Sequence, residues 1–294
     1  MPDRDQWQYQ PNCLIPPDRS LPEGVGRFAA AVEYHGGLYC GWQRQPHSPD
    51  VQTPVEAALS QVANETVQVA CAGRTDTGVH ATNQIIHFDS RALREPRNWR
   101  LGANANLPDG IRLHWVCRVG DDFHARFSAR TRTYRYVIAN EPARPALFSG
   151  LVTWRRKSLD ADAMHRAAQV LLGEQDFSSF RAAGCQSVSP FRRVDAVTVW
   201  RRQSLVIIEI TANAFLHHMV RNIAGALIAV GAGERSGDWL ARLVEARDRT
   251  KAEVTAPAAG LYLVSVGYAH ELGLPAQIPG PYFVPEPLQG ATFC

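Results

Sequence analysis

One short stretch of the chain, residues 71–81, has the composition of a catalytic loop. It reads Cys-Ala-Gly-Arg-Thr-Asp-Thr-Gly-Val-His-Ala and places one carboxylate, Asp76, between Gly73 and Gly78. A strand-like run over residues 66–71 leads into it, so we expect Asp76 on a tight turn beyond a strand end. A carboxylate held there could act as a nucleophile or as a general base. The alternative is structural, because an aspartate in such a turn commonly accepts hydrogen bonds from its own backbone.

A second stretch, residues 124–136, is dense in arginine with aromatic residues interleaved. Arginine binds phosphate through paired hydrogen bonds and aromatic rings stack on bases, so this composition favours RNA binding over an ordinary solvated face. If the segment is extended, alternate side chains share one face and form a candidate RNA platform: Arg126, Ser128, Arg130, Arg132 and Tyr134.

The composition of the whole chain limits the class of protein. With 294 residues and 45% hydrophobic content, it can bury the core of one large or two ordinary domains. The net charge of +3 neither requires nor excludes a nucleic-acid partner. No run approaches the roughly 20 apolar residues of a membrane span, and the N-terminus lacks the apolar core of a signal peptide. We therefore expect a cytoplasmic protein.

Cysteine and histidine spacing predicts neither a disulfide framework nor a metal site. The six cysteines include no Cys-x-x-Cys pair, and the ten histidines include no His-Glu-x-x-His. The adjacent residues His217 and His218 are expected to point to different sides of a helix. We therefore predict that the protein holds no metal ion.

Strand and helix patterns alternate along the chain and predict an α+β protein of two similar halves. We expect strands near residues 28–34, 84–88, 111–116, 133–139, 194–201 and 205–211, and helices near 53–62, 160–172 and 215–230. Thr53 and Glu56 have the spacing of a capping box, and Asn213 is a candidate N-cap.

These patterns divide the chain into four parts. We expect a flexible arm over residues 1–25, an N-terminal α+β domain over 26–124 that carries Asp76, a C-terminal α+β domain over 125–270, and a Pro/Gly-rich tail over 271–294.

Several of these stretches together resemble one family. The string at residues 71–81 closely resembles the signature of the bacterial tRNA pseudouridine synthase A family (TruA-like), whose catalytic residue is the aspartate of that string. Five further stretches within residues 27–268 look like the same family in the same order, at 41–45, 104–108, 121–128, 213–223 and 260–263. Five ordered matches are far more specific than one turn. Thr77 departs from the pattern, since the family commonly has alanine there, and its hydroxyl could hydrogen-bond the carboxylate.

The resemblance implies an isomerase that converts uridine to pseudouridine in tRNA without a cofactor. The implied pseudouridine synthase fold has two halves whose mixed, mainly antiparallel sheets are flanked by helices and form a central basic cleft. The implied substrate is the anticodon stem-loop, at tRNA positions 38, 39 and 40. The implied working form is a homodimer.

The resemblance also implies roles for single residues. Asp76 is the catalytic carboxylate, and it could attack C1′ or C6 of the nucleotide or remove the 2′ proton to give a glycal. Arg74 is associated with base extrusion and contact to the substrate backbone. Tyr134 stacks on the uracil, Arg221 pairs with Asp76, and Leu263 forms an apolar wall of the pocket.

Two other functions compete with this one. A nucleoside or glycoside hydrolase also acts at an anomeric carbon, but it usually needs two carboxylates, and the motif offers only Asp76. Asp121 and Asp122 are separate candidates for the second. A non-catalytic RNA-binding protein would need the arginine and tyrosine side chains but not Asp76.

Overall fold

A single mixed sheet runs through both halves of the chain. The structure, a computed structural model, describes residues 21–277 and 280–284, so most of the arm expected at residues 1–25 and the end of the expected tail lie outside the described residues. The strands found there are β1 (Gly26–Tyr34), β2 (Val69–Cys71), β3 (His80–Ser90), β4 (Ile111–Val119), β5 (Thr131–Asn140), β6 (Thr153–Arg155), β7 (Gly173–Asp176), β8 (Phe191–Arg202), β9 (Leu205–Ala212) and β10 (Leu261–Gly267).

Helices flank the sheet, which confirms the expected α+β class. They are α1 (Gln52–Ala63), α2 (Pro96–Asn106), α3 (Ala161–Ala168), α4 (Met219–Gly231) and α5 (Gly237–Ala246). In the described part of the chain, no helix is long and apolar enough to cross a membrane.

The halves of the chain join where β10 lies between β3 and β5. The strand order is β4-β1-β3-β10-β5-β9-β8-β7, with β2 on β3 and β6 on β5. Most neighbours are antiparallel, but β10 runs parallel to β3 and pairs Tyr262 with His80 and Leu263 with Ala81. Since His80 follows directly after residues 72–79, this junction lies beside the loop that carries Asp76.

The capping box predicted at the start of helix α1 is wrong. The side chain of Asp50, not Thr53, accepts from the helix start, with the Thr53 N–H at 2.7 Å from Asp50 Oδ1. Glu56 is buried and accepts from the Val69 N–H at 2.9 Å, so its carboxylate fixes the first residue of β2. The helix therefore supports the strand that leads into the Asp76 loop.

Helix α4 begins four residues later than predicted, at Met219. Asn213 is not its N-cap, because the Asn213 side-chain oxygen accepts from the N–H groups of Arg193 and Ala214 instead. His218 has a left-handed backbone, with φ of 60°, which a continuing helix would not allow. The residues before Met219 therefore form a turn.

The start predicted for α3 is confirmed, since the Asp160 side chain accepts from the Ala163 N–H.

His87, on β3, makes the fold sensitive to acid. Its Nδ1 accepts from the Ala125 N–H at 3.2 Å, and the ring packs between Phe123 and His124. Burial, together with the charges of His124 and Arg27, lowers the pKa of His87 to about 3. Between pH 6.5 and that value the unfolded chain binds a proton that the folded chain excludes. Stability is therefore full above pH 6.5 and falls as the pH is lowered.

We expect His87→Asn to flatten this pH dependence, because asparagine keeps an acceptor for Ala125 but does not titrate. The free energy of unfolding, measured by urea titration between pH 6.5 and 4.5, should fall less steeply than in the wild type by about 1.4 kcal/mol per pH unit. His270→Asn, at an exposed histidine, serves as the control and should follow the wild type. Equal slopes for His87→Asn and the wild type would contradict the argument.

Candidate active site

The loop that carries Asp76 connects β2 to β3, and three hydrogen bonds hold it in place. The Thr75 hydroxyl lies 2.7 Å from the Tyr34 hydroxyl. The Thr75 carbonyl accepts from the Trp42 N–H at 3.1 Å, and the Asp76 carbonyl accepts from the Val79 N–H at 3.1 Å. Thr75 is buried, whereas 32% of the Asp76 side chain is exposed. The backbone is therefore fixed while the carboxylate faces a cleft.

Residues 39–42 approach this loop so closely that position 41 requires glycine. Gly41 has φ of +100°, and a Cβ there would lie 2.7 Å from the Thr75 carbonyl oxygen. The Gly78 N–H donates to the Tyr39 carbonyl at 3.3 Å. Backbone packing against the Asp76 loop thus gives a physical reason for the glycine at position 41.

Two histidines face Asp76, and the prediction that they point to different sides of a helix is wrong. His217 Nε2 lies 3.4 Å from Asp76 Oδ1, and His218 Nε2 lies 3.6 Å from Asp76 Oδ2. The left-handed backbone of His218 puts both rings on one side, with centroids 4.1 Å apart. Burial lowers the pKa of His218; Asp76 opposes this change, while Arg221 and His217 add to it. Sequence reasoning missed this pair because it extended the helix back to residue 215.

Arg221 lies on the same cleft but does not form the ion pair with Asp76 that the resemblance implied. Its Nε donates to the Ala256 carbonyl at 2.8 Å, across the chain segment that follows α5. Among the described residues, the basic side chains within 4 Å of the Asp76 carboxylate are His217 and His218, and each forms an ion pair with it only when protonated. The two imidazoles therefore occupy the place expected for the guanidinium.

Tyr134 and Leu263 lie side by side in the sheet, behind the cleft. They pair across β5 and β10, and Leu263 also pairs with Ala81, at the start of β3. Leu263 is fully buried and Tyr134 is 9% exposed. The Tyr134 ring meets Phe215 edge-on, with centroids 5.1 Å apart. Burial, and secondarily the nearby charge of Asp76, raise the pKa of the Tyr134 phenol, so it stays protonated at neutral pH.

The cleft in front of Asp76 has a volume of about 490 Å³. It brings together three of the predicted residues, Arg74, Asp76 and Arg221, and its remaining lining residues are Cys40, Gln43, Gln45, Thr75, Thr77, Gln186, His217 and His218. Among these described residues Asp76 is the one carboxylate, and Asp121 and Asp122 lie elsewhere on exposed turns. The two carboxylates that a glycosidase needs are therefore not assembled here. The Thr77 hydroxyl lines the cleft without a hydrogen bond to Asp76 in the described structure.

The predicted RNA platform is not one extended face. Residues 121–130 form turns, and β5 begins only at Thr131. Arg126 and Arg130 are exposed, and the Arg126 guanidinium lies 5.8 Å from the Phe127 ring centroid. Regular alternation fails because His124 Nδ1 accepts from the N–H groups of residues 126 and 127, which closes a turn.

Arg132 differs from these two arginines because the protein backbone holds its guanidinium, and its role in RNA binding stays a prediction. Its guanidinium donates to four backbone carbonyls, those of Ala72, Arg126, Ala129 and Asn213, at 2.8–3.3 Å. Burial lowers its pKa. Since Ala72 begins the Asp76 loop and Asn213 begins the turn with the two histidines, Arg132 links the segments that carry the site.

Comparisons with known proteins agree on one family. A family model described as tRNA pseudouridine synthase matches residues 30–128 and 167–269. The chain is 52% identical over 260 residues to "tRNA pseudouridine synthase A" of Shewanella amazonensis, covering 88% of this chain and all of the relative. It is 53% identical over 262 residues to the protein of the same description from Salmonella arizonae, covering 89% and 97%.

A similar solved structure is a crystal structure of a Cbf5-Nop10-Gar1 complex, with a TM-score of 0.31 and 12% identity. That match covers 81% of this chain and 49% of the other.

Proposed function

The chain belongs to the tRNA pseudouridine synthase family, and from that premise we propose that Asp76 is the reactive carboxylate of its site. The enzyme is an isomerase that converts uridine in tRNA to pseudouridine. The N1–C1′ bond is broken, the uracil turns, and C5 is joined to C1′. C5 loses its hydrogen as a proton and N1 gains one, so the nucleotide keeps its composition and no electrons are exchanged.

One observation carries the assignment of Asp76: a carboxylate on a fixed loop faces a cleft that also holds two arginines. A uridine must leave its stack for a side chain to reach C1′ or C6, and a cleft of this size accepts an extruded base. Because hydrogen bonds hold the backbone on both sides of Asp76, little reorganisation is needed when charge develops in the transition state.

The neighbouring residues support the same chemistry. Arg74 is exposed at the rim of the cleft and suits a phosphate beside the extruded nucleotide. Arg221 lies further along the α4 side, where it would offset negative charge on the departing uracil. We propose that the uracil ring packs against Tyr134, whose phenol stays neutral and therefore acts as a hydrogen-bonding group and not as a phenolate base.

Leu263 supports the site from one step further back. It is fully buried beside Tyr134 and does not line the described cleft, so we propose that it acts through the tyrosine ring, which it holds in place.

The RNA partner follows from the family, and we propose the anticodon stem-loop as the part of tRNA that enters the cleft. Arg126 and Arg130 are exposed close to the start of β5 and are proposed to contact phosphates. We further propose that the enzyme works as a homodimer and meets its tRNA in the cytoplasm, as the resemblance implied.

The test is release of tritium from tRNA labelled at uracil C5, because pseudouridine formation replaces that hydrogen. We expect the wild-type enzyme to release tritium from a tRNA with uridines at positions 38, 39 and 40, and to release none from the same tRNA carrying cytidine there. Release that persists after the cytidine replacements would contradict the proposed positions. No release from either tRNA would contradict the function.

A further inference from the structure

The two histidines that face Asp76 create a second chemical possibility at the same place. Asp76, His217 and His218 each offer a ligand atom, and these atoms all lie within 4.8 Å of one another. Nitrogen and carboxylate ligands of this kind suit Zn²⁺ and related divalent transition metals. Nothing in the isomerisation described above uses such an ion.

The distances fit coordination better than hydrogen bonding. The two separations between imidazole nitrogen and carboxylate oxygen are 3.4 and 3.6 Å, whereas an N–H···O hydrogen bond is most often about 2.9–3.0 Å long. A tetrahedral zinc ion with bonds of about 2.0–2.1 Å holds its ligand atoms about 3.4 Å apart. These two separations run to different carboxylate oxygens, and the three candidate ligand atoms lie within 4.8 Å of one another, so the side chains must close by up to about 1.4 Å to bind one ion.

The backbone around the histidines holds them in this arrangement. The His217 carbonyl accepts from the Ala182 N–H at 3.1 Å, and the His218 carbonyl accepts from the Asn222 N–H at 2.9 Å. The carboxylate side is fixed by the loop contacts of Thr75. A site whose ligands are positioned before binding loses less conformational entropy when the ion arrives.

We propose that Asp76, His217 and His218 form a three-ligand site for a divalent transition-metal cation, and that a bound ion inhibits the enzyme by occupying the Asp76 carboxylate. All three side chains line the cleft, so a fourth ligand, water or a substrate phosphate, would reach the ion from there. The inhibitory part rests on the proposed role of Asp76, whereas the binding part does not. Arg74 and Arg221 line the same cleft and weaken binding of a cation by repulsion, so the ion is a reversible inhibitor.

Calorimetric titration of tag-free, chelator-treated protein with ZnCl₂ tests the binding part. We expect one tight ion per chain in the wild type. Affinity should fall at least about tenfold in each of Asp76→Asn, His217→Asn and His218→Asn, since even loss of an outer partner of a ligand costs about 10- to 100-fold. His270→Asn, at an exposed histidine, and Cys40→Ser, at a thiol that lines the cleft, are the controls and should retain the tight ion.

Tritium release then tests inhibition, with each protein compared with its own rate in the presence of chelator. Zinc should inhibit the wild type at the concentrations that fill the site, and His217→Asn should need at least about tenfold more zinc. Absence of a tight ion, or a tight ion retained in all three ligand variants, would overturn the site. A filled site with full activity would overturn the inhibition. Undiminished activity of Asp76→Asn in chelator would instead count against the proposed function, whatever the zinc result.

Discussion

Replacement of Asp76 by asparagine is expected to abolish tritium release from C5-labelled tRNA, with a loss of at least about 10³-fold in kcat. Asparagine is nearly isosteric, so the loop contacts of Thr75 to Tyr34 and Trp42 should survive. The amide can neither attack C1′ or C6 nor remove the 2′ proton. Because each of the three pathways needs the carboxylate, the prediction does not depend on which of them the enzyme follows.

Two comparisons make this result specific to chemistry. Binding of tRNA by Asp76→Asn, measured by filter retention, should stay near the wild-type value, since phosphate contacts come from arginines. Asp122→Asn, at an exposed turn outside the cleft, should keep normal tritium release. Activity in Asp76→Asn would refute the assignment. Loss of activity in Asp122→Asn would revive a mechanism with two carboxylates.

Arg132→Ala is expected to damage the active site through lost hydrogen bonds to the protein backbone and not through a lost contact to RNA. Four backbone carbonyls lose a charged donor, and two of them, at Ala72 and Asn213, begin the segments that carry Asp76 and the histidines. We expect the free energy of unfolding to fall by about 3 kcal/mol, because three partly buried carbonyls and one exposed carbonyl lose a charged donor. We expect kcat to fall about 10- to 100-fold, because a displaced catalytic group loses alignment.

Arg130→Ala is the matched comparison, two residues away and exposed. It should leave urea unfolding unchanged but weaken tRNA binding, and the slope of log affinity against log salt should become shallower by about 0.7–0.9 for one lost phosphate contact. Arg132→Ala should retain the wild-type salt slope. If Arg132→Ala instead lowers the salt slope and leaves stability intact, the arginine contacts phosphate and its positioning role is wrong. Arg132→Lys should resemble the alanine variant, since one ammonium cannot reach carbonyls on four residues.

Predictions from local sequence succeeded where local contacts decide the structure. The strands around residues 28–34, 133–139 and 205–211 are confirmed as β1, β5 and β9. In β5 and β9 the runs are rich in β-branched and aromatic residues, which fit a pleated, buried surface. The helix start at Asp160 is also confirmed, because the cap is a local contact: the Asp160 side chain accepts from the N–H of Ala163, three residues further along the chain. The start of α1 was wrong because Asp50, three residues before Thr53, offers the cap.

The site was predicted less completely than the strands. Family resemblance selected Asp76, Arg74, Tyr134, Arg221 and Leu263, and the structure brings Arg74, Asp76 and Arg221 to one cleft. The resemblance did not select His217 and His218, because these side chains converge only through the left-handed turn before α4. The sequence also could not distinguish Arg132 from the exposed Arg126 and Arg130, because two of its carbonyl partners, Ala72 and Asn213, lie far away in the chain.

The sequence by itself determined that one carboxylate stands on a turn between two glycines after a strand, because turn geometry depends on a few adjacent residues. The tertiary structure decided what surrounds that carboxylate. Insertion of β10 between β3 and β5 brings Leu263 and Tyr134 next to the loop, and the turn before α4 brings two imidazoles to it. These neighbours come from distant segments, so their positions depend on sheet pairing and packing of the whole chain, which no local pattern encodes.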